Sequence, residues 1–173
     1  MALFRRRSAL PAQHRPKLDR DERVVAWAMA PQGALVATTK GLWLPGDPQA
    51  RLGWHEIHKA AWDGGALKIT AARQVHRTPG YDVVADRPGG DFRLADPGDL
   101  PAAVRARVTR SVGPSSHHSL PGTGGVRVVA RRVPGVDGLT WTARYDDGVD
   151  HDDPIVREAT TALVEQAKAG VPE

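Results

Sequence analysis

The chain has 173 residues, which is enough for one domain with a substantial core, and its 40% hydrophobic and 25% charged residues are typical of a globular protein. It contains no cysteine, which excludes disulfides, thiolate catalysis and cysteine-ligated zinc. The sequence shows neither a secretory signal nor a run of about eighteen apolar residues that could cross a membrane, so we expect a cytoplasmic protein.

The net charge of +4 is distributed unevenly along the chain. Residues 1–20 contain six basic residues and one acidic residue, so the remainder of the chain carries a net charge of −1. Residues 100–134 contain six arginines and no acidic residue, whereas residues 135–173 contain nine acidic and three basic residues. A nearly neutral body argues against nucleic acid as a partner.

The first 20 residues are predicted to be a flexible basic tail, because they combine two prolines with many charges and no sustained apolar period. Residues 21–173 are predicted to form a single domain. Its first half is predicted to be a series of short strands separated by turns rich in glycine and proline. The predicted strands are Glu22–Ala30, Ala34–Thr39, Leu42–Leu44, Gly53–Trp62, Ala66–Ala72, Tyr81–Ala85 and Asp91–Ala95.

A helix is predicted next. Asp99 is a suitable N-cap residue, and Pro101 is tolerated in the first turn of a helix. Valines then recur at every fourth position up to Val112, and Pro114 is expected to end the helix. The following segment, Ser115–Gly125, is rich in serine, proline and glycine, which predicts a loop.

Two further strands and a last helix complete the predicted elements. Val126–Arg131 and Thr140–Tyr145 alternate apolar and polar residues, as strands with one buried face do. The last helix is predicted to have Asp153 as its N-cap residue, Pro154 in its first position and Gly170 just after its end.

Strands joined by short turns favour an antiparallel meander over a parallel sheet. We therefore predict an α+β fold. It consists of an antiparallel, strongly bent sheet or partly open barrel, with an internal helix and a C-terminal helix that caps the sheet.

Three segments of the first half carry a resemblance to a known family: Glu22–Trp27, Gly33–Leu42 and Trp54–Ile57. Residues 22–72, which contain them, resemble the bacterial pleckstrin-homology-like (PH-like) proteins, and the whole chain is similar to proteins common in actinobacteria. The resemblance implies a bent seven-stranded sheet capped by a helix, and a binding scaffold more often than an enzyme. Recognition of inositol phosphates is not implied, because the first hairpin loop, Pro31–Gly33, has no cation.

The arginines of residues 100–134 are the first candidate site. If the predicted helix packs beside the strand that follows, they would form one basic face that could hold phosphate or an acidic protein partner. A solvated surface, or pairing with the acidic stretch after residue 134, explains them more simply. The residues are Arg105, Arg107, Arg110, Arg127, Arg131 and Arg132.

The N-terminal tail is a second candidate. Phe4, Arg5, Arg6 and Arg7 could contact an anionic membrane surface. Each cation would contribute only about 1 kcal/mol, so this contact would be reversible.

Asp146, Asp147 and Asp150 belong to an acidic run before the last helix. Carboxylate oxygens are suitable ligands for Ca²⁺ or Mg²⁺. The spacing of an EF-hand is absent, and acidic residues are ordinary before a helix, so we predict neither a metal nor another cofactor.

The histidines offer little support for catalysis. His55 and His58 would point to opposite faces of a predicted strand, which disfavours a shared metal ion. His117 and His118 fall in the predicted loop beside serines, without the Gly-x-Ser-x-Gly elbow of many hydrolases.

The function predicted from the sequence is a non-catalytic binding or scaffold module for a protein partner. The alternatives are peripheral attachment to an anionic membrane through the basic tail, and an enzyme of unrecognised type that uses His55, His58 or the acidic run. Neither the partner nor the oligomeric state is specified by any pattern in the sequence.

Overall fold

The computed structural model describes residues 9–172, and the membrane-contact candidates Phe4, Arg5, Arg6 and Arg7 lie outside this range. The described part is α+β, as predicted, with a four-stranded sheet, a strongly curled six-stranded sheet and two helices. None of the helices in residues 9–172 is long and apolar enough to cross a bilayer.

The smaller sheet is an antiparallel meander in which the strands lie side by side in chain order. Its first strand begins within the predicted range, and its alternate alanines, Ala26, Ala28 and Ala30, are buried. The strands are β1 (Val24–Ala30), β2 (Gly33–Thr38), β3 (Gly41–Leu44) and β4 (Ala50–Gly53).

A turn of 3₁₀ helix, Trp54–Glu56, connects the two sheets, so the single strand predicted over Gly53–Trp62 is divided. The six-stranded sheet has the order β5-β6-β7-β10-β9-β8, and its only parallel pair within residues 9–172 joins β10 to β7. Its strands are β5 (Ile57–Trp62), β6 (Ala66–Thr78), β7 (Tyr81–Arg93), β8 (Val112–Ser119), β9 (Gly125–Arg131) and β10 (Thr140–Tyr145).

The predicted short hairpin over Tyr81–Ala85 and Asp91–Ala95 is wrong, because β7 runs without a turn through Pro88, Gly89 and Gly90. A register shift between β6 and β7 lies beside Pro88 and leaves Gly89 as the extra residue of β7. Gly89 is needed for close packing, since a Cβ atom there would lie 2.6 Å from Cγ2 of Ile69.

The predicted loop Ser115–Gly125 is also wrong over its first five residues, because β8 occupies Val112–Ser119 and pairs with β9. Pro114 does not prevent this pairing. It lies within a register shift on an edge strand, where a missing backbone N–H is tolerated.

The helices close two separate cores. Helix α1 (Leu100–Ser111) buries Leu100 and Val104 between β5 and the smaller sheet. Helix α2 (Pro154–Ala169) packs Val156 and Val164 on one face of the larger sheet. The N-cap predicted at Asp153 is confirmed, since its Oδ1 accepts a hydrogen bond from the backbone N–H of Ile155 at 2.8 Å.

The packed part of the chain begins before the boundary drawn at residue 21. Leu10 is buried against Ala34 and Val36 of β2, because a lone apolar side chain can be covered without a sustained apolar period. Asp19 forms ion pairs with Lys40 and Arg51. These contacts hold residues 10–22 against the smaller sheet.

Candidate functional site

Arg131, near the end of β9, is the most deeply buried arginine of the candidate set, with only 7% of its surface exposed. Within residues 9–172 its guanidinium makes one hydrogen bond, from Nη1 to Oγ of Ser111 at 3.2 Å, and no carboxylate pairs with it. Burial and the nearby charge of Arg144 lower the pKa of Arg131. A buried cation without a counter-charge is costly to maintain.

Arg131 lines a groove on the face of the larger sheet opposite to α2. Alternate residues of a strand share a face, which brings Arg127 of β9 to the same side as Arg131, and Arg144 of β10 beside them. The groove has a volume of about 170 Å³, which suits one carboxylate or phosphate group. Its lining is His58, Val84, Val112, Ser115, Arg127, Val129, Arg131, Thr142 and Arg144.

The curl of the sheet creates this groove. His58 comes from β5 and Ser115 from β8. These are the two edge strands of the sheet, and four other strands lie between them. They line one groove only because the sheet closes halfway into a barrel. The strand β8 is therefore an edge strand at the mouth of an arginine-lined groove.

One carboxylate borders the groove. Oδ1 of Asp86 lies 2.6 Å from Nδ1 of His58 and accepts a hydrogen bond from Nη1 of Arg144 at 2.8 Å. These contacts lower the pKa of Asp86, although its partial burial opposes the change. Three arginines against one ionised aspartate leave the groove with a net charge of about +2 when His58 is neutral.

His58 is held neutral by its surroundings. Its side chain is only 8% exposed, and burial lowers its pKa, as do the charges of Arg131 and Arg144, while the hydrogen bond to Asp86 opposes the change. The proton of the neutral ring must be on Nδ1 to be donated to ionised Asp86. His58 therefore lies at a mostly buried position.

The six predicted arginines do not form one continuous face. Arg107, Arg110 and Arg132 line a second groove, of about 190 Å³, beside Trp54 and Pro134. Arg132 follows the last residue of β9, and its Nη1 donates to the carbonyl oxygens of Arg110 and Val112 on the side of the second groove. Arg105 is exposed on α1 and lines neither groove.

None of these six arginines forms an ion pair with a carboxylate of residues 9–172. The acidic stretch after residue 134 therefore does not neutralise the basic stretch before it, which the sequence left open. Between these two stretches, the ion pair found in the described chain joins His117 to Asp146 at 3.0 Å.

The acidic residues weighed as metal ligands are not brought together. Asp146 binds His117, Oδ1 of Asp150 accepts a hydrogen bond from the backbone of Asp152, and Asp147 is exposed. Within residues 9–172, the side chains that do converge in a way suited to a metal ion are His76, His151 and Asp152. Sequence reasoning missed His76, because it lies 75 residues before His151 on a long central strand.

The remaining histidines have separate positions. His55 lies in the 3₁₀ turn with its Nδ1 buried, and burial lowers its pKa. His118 lies on β8, where its Nε2 is 2.8 Å from Oγ of Ser116. Arg144 lines the same groove as Arg131 but was not among the predicted site residues. The sequence could have indicated it, because the alternation of β10 places Arg144 on the face opposite to Trp141.

Comparison of the chain with family models, with curated proteins and with solved structures gave no match. The resemblance of residues 22–72 to PH-like proteins accordingly stays a prediction.

Proposed function

We propose that this protein is a non-catalytic binding module that holds an extended, acidic segment of a protein partner along β8, with one acidic side chain in the arginine groove. The observation that carries the proposal is Arg131, a 93% buried cation with no carboxylate partner among residues 9–172. An anion supplied by another molecule would offset the cost of its burial.

The position of the groove supports a peptide segment as the ligand. Within residues 9–172, β8 pairs with β9 on one side and with no strand on the other, so its free backbone groups can pair with an added strand. Ser115, in the middle of β8, lines the groove. A segment added to β8 would therefore pass the arginines, and a carboxylate on it would be within their reach.

Charge complementarity favours an acidic segment. Arg127 is exposed and free of carboxylates within residues 9–172, and Arg144 has one partner, Asp86. A planar guanidinium can donate two parallel hydrogen bonds to a carboxylate or a phosphate. Such charge-assisted bonds contribute roughly 1.5–3 kcal/mol each, which corresponds to about a ten- to hundredfold change in affinity.

The proposal is tested by selecting binders from a random peptide library displayed on phage, followed by fluorescence anisotropy with the best peptide. We expect the selected peptides to be enriched in aspartate or glutamate and to bind R131M at least about tenfold more weakly. Methionine keeps the apolar stem of the side chain and removes a buried charge, so R131M is expected to remain folded.

The matched control is R105Q, which removes the same charge from an exposed position outside both grooves. It should change the affinity by less than about twofold, because a distant surface charge is screened. An equal loss of affinity in R105Q and R131M, or selected peptides without acidic residues, would show that the groove is not the binding site.

A further inference from the structure

His76 of β6 lies close to His151 and Asp152, two neighbouring residues of the loop before α2. Nε2 of His76 lies 3.2 Å from Oδ1 of Asp152, and Nε2 of His151 lies 3.9 Å from Oδ2 of the same carboxylate. One ligand atom from each of the three residues lies within 4.8 Å of the other two.

We propose that His76, His151 and Asp152 bind a divalent transition-metal ion, with Zn²⁺ as the ion that suits them best. Imidazole nitrogen and carboxylate oxygen are ligands of zinc, at about 2.0–2.2 Å. Two ligand atoms of a tetrahedral site are then about 3.3 Å apart. The distance of 3.2 Å between Nε2 of His76 and Oδ1 of Asp152 already meets this value, and the other ligand separations, which are at most 4.8 Å, need to shorten by up to about 1.5 Å.

The three ligands are held by different parts of the fold. His76 is fixed on the long strand β6 by its pairing with Val83 of β7. The ring of His151 stacks on Tyr145, with centroids 6.4 Å apart, and meets the ring of His76 edge to face at 5.1 Å. Asp152 precedes the N-cap of α2, and its backbone N–H is bound by Asp150. Such preorganisation reduces the cost of assembling the site.

The site opens into a cavity of about 430 Å³ that His76, Tyr81, Tyr145 and His151 help to line. Three protein ligands leave at least one coordination position free, and this position would face the cavity. The ion would therefore be accessible to water or to a ligand from another molecule.

The guanidinium of Arg157 already pairs with the carboxylate of Asp152. Its Nη2 donates to Oδ1 of Asp152 at 2.8 Å, so it would compete with a metal ion for the carboxylate. The hydrogen bond from His76 and the charges of His151 and Arg157 lower the pKa of Asp152 despite its partial desolvation, which keeps the carboxylate ionised. Arg157 is half exposed and can turn towards solvent when a metal ion binds.

The test titrates zinc into the protein, prepared without a histidine tag, at pH 7.5. Isothermal titration calorimetry measures the affinity and the number of ions bound. We expect about one zinc ion per chain, at least about tenfold weaker binding in H76A, and tighter binding in R157Q. Affinity should fall as the pH is lowered, because protons compete with the metal ion for the imidazole nitrogens.

His117 provides a matched control. Like His76, it lies on a strand, is about two-fifths exposed and binds an aspartate, with side-chain exposures of 42% and 37% and Nε2–O distances of 3.0 and 3.2 Å. It has no third ligand nearby within residues 9–172. H117A should therefore bind zinc as tightly as the natural sequence does.

A second readout uses Co²⁺ in place of Zn²⁺, since the visible absorption of cobalt reports its coordination directly. We expect a protein-dependent cobalt spectrum that H76A abolishes and H117A preserves, with circular dichroism showing that both variants are folded. Zinc affinity unchanged in H76A, or an equal loss in H76A and H117A, would overturn the proposal. The site is separate from the arginine groove, so H76A should leave peptide binding intact.

Discussion

The two buried charged residues Glu22 and Arg131 differ in the number and charge of the groups that contact them. The carboxylate of Glu22 is fully buried and accepts hydrogen bonds from Thr38, Trp43, the backbone of Asp19 and Arg51. Its charge is therefore compensated from within residues 9–172. Arg131 has a single hydrogen bond and no counter-charge there. This contrast assigns Glu22 a structural role and leaves Arg131 available for a ligand.

The change E22Q is expected to lower the free energy of unfolding by about 2–3 kcal/mol. Every group that faces the carboxylate is a donor, so the amide NH₂ of glutamine would face N–H or O–H groups, and the ion pair with Arg51 would be lost. Urea unfolding followed by tryptophan fluorescence measures the difference. The control is D21N, at an exposed residue that pairs with Lys40, which should have little effect.

The loss should also depend on pH. Hydrogen bonds and the charge of Arg51 lower the pKa of Glu22 although its burial opposes the change. A lowered pKa contributes stability above the pKa of glutamate in the unfolded chain, about 4.3, and this contribution is lost as the pH falls through the folded pKa. The difference between the natural sequence and E22Q should therefore be constant above about pH 5 and shrink below pH 4. A difference that stays constant down to pH 3 would contradict this role.

At the scale of elements, local signals predicted some parts of the chain closely and failed for others. The limits of β10 and α2 follow from alternation and from the cap at Asp153, which are properties of neighbouring residues. The strands β7 and β8 were missed where they contain proline and glycine, because the pairing that overrides these residues comes from strands elsewhere in the chain.

The same distinction applies to the candidate site. The sequence identified Arg127 and Arg131 among six arginines of one predicted basic face. It could not identify His58 and Asp86 as their neighbours, because that contact depends on how far the larger sheet curls. Curvature is set by the sum of twists and register shifts along all six strands, which no single segment encodes.

The cap of α2 provides a test at this scale. D153A should lower the stability by about 1 kcal/mol, because Oδ1 of Asp153 accepts the N–H of Ile155 that the helix cannot satisfy internally. For a chain of this size the midpoint of thermal unfolding should fall by about 2–4 °C, as measured by calorimetry. D147A changes an exposed aspartate without a side-chain hydrogen bond in residues 9–172 and should leave the midpoint unchanged. Equal midpoints for both variants would show that the cap is not needed.

For the molecule as a whole, the basic residues before residue 134 and the acidic residues after it have mostly different contacts. The arginines of α1 and β9 remain without carboxylate partners in the described chain, while the acidic residues after β10 are used locally, at His117, in the cap of α2 and with Arg157. The arginines of the basic stretch are thus not neutralised by carboxylates within the described chain. This favours recognition of an oppositely charged partner over internal neutralisation.

The basic tail is expected to contact anionic membranes, and Leu10 and Asp19, which contact the smaller sheet, lie outside the segment responsible. A shortened chain that begins at Asp21 would lose these contacts. A shortened chain that begins at Ala9 keeps them and lacks only residues 1–8, which include Phe4, Arg5, Arg6 and Arg7. Three arginines at about 1 kcal/mol each provide about 3 kcal/mol, so we expect partial sedimentation with anionic vesicles at 0.01 M salt, and none with neutral vesicles. Sedimentation should decrease at 0.1 M salt, where the Debye length falls from about 30 Å to about 10 Å.

The control is the shortened chain that begins at Ala9, which should not sediment. If it sediments as well as the full chain, the basic surface of the folded part, and not the tail, contacts the membrane.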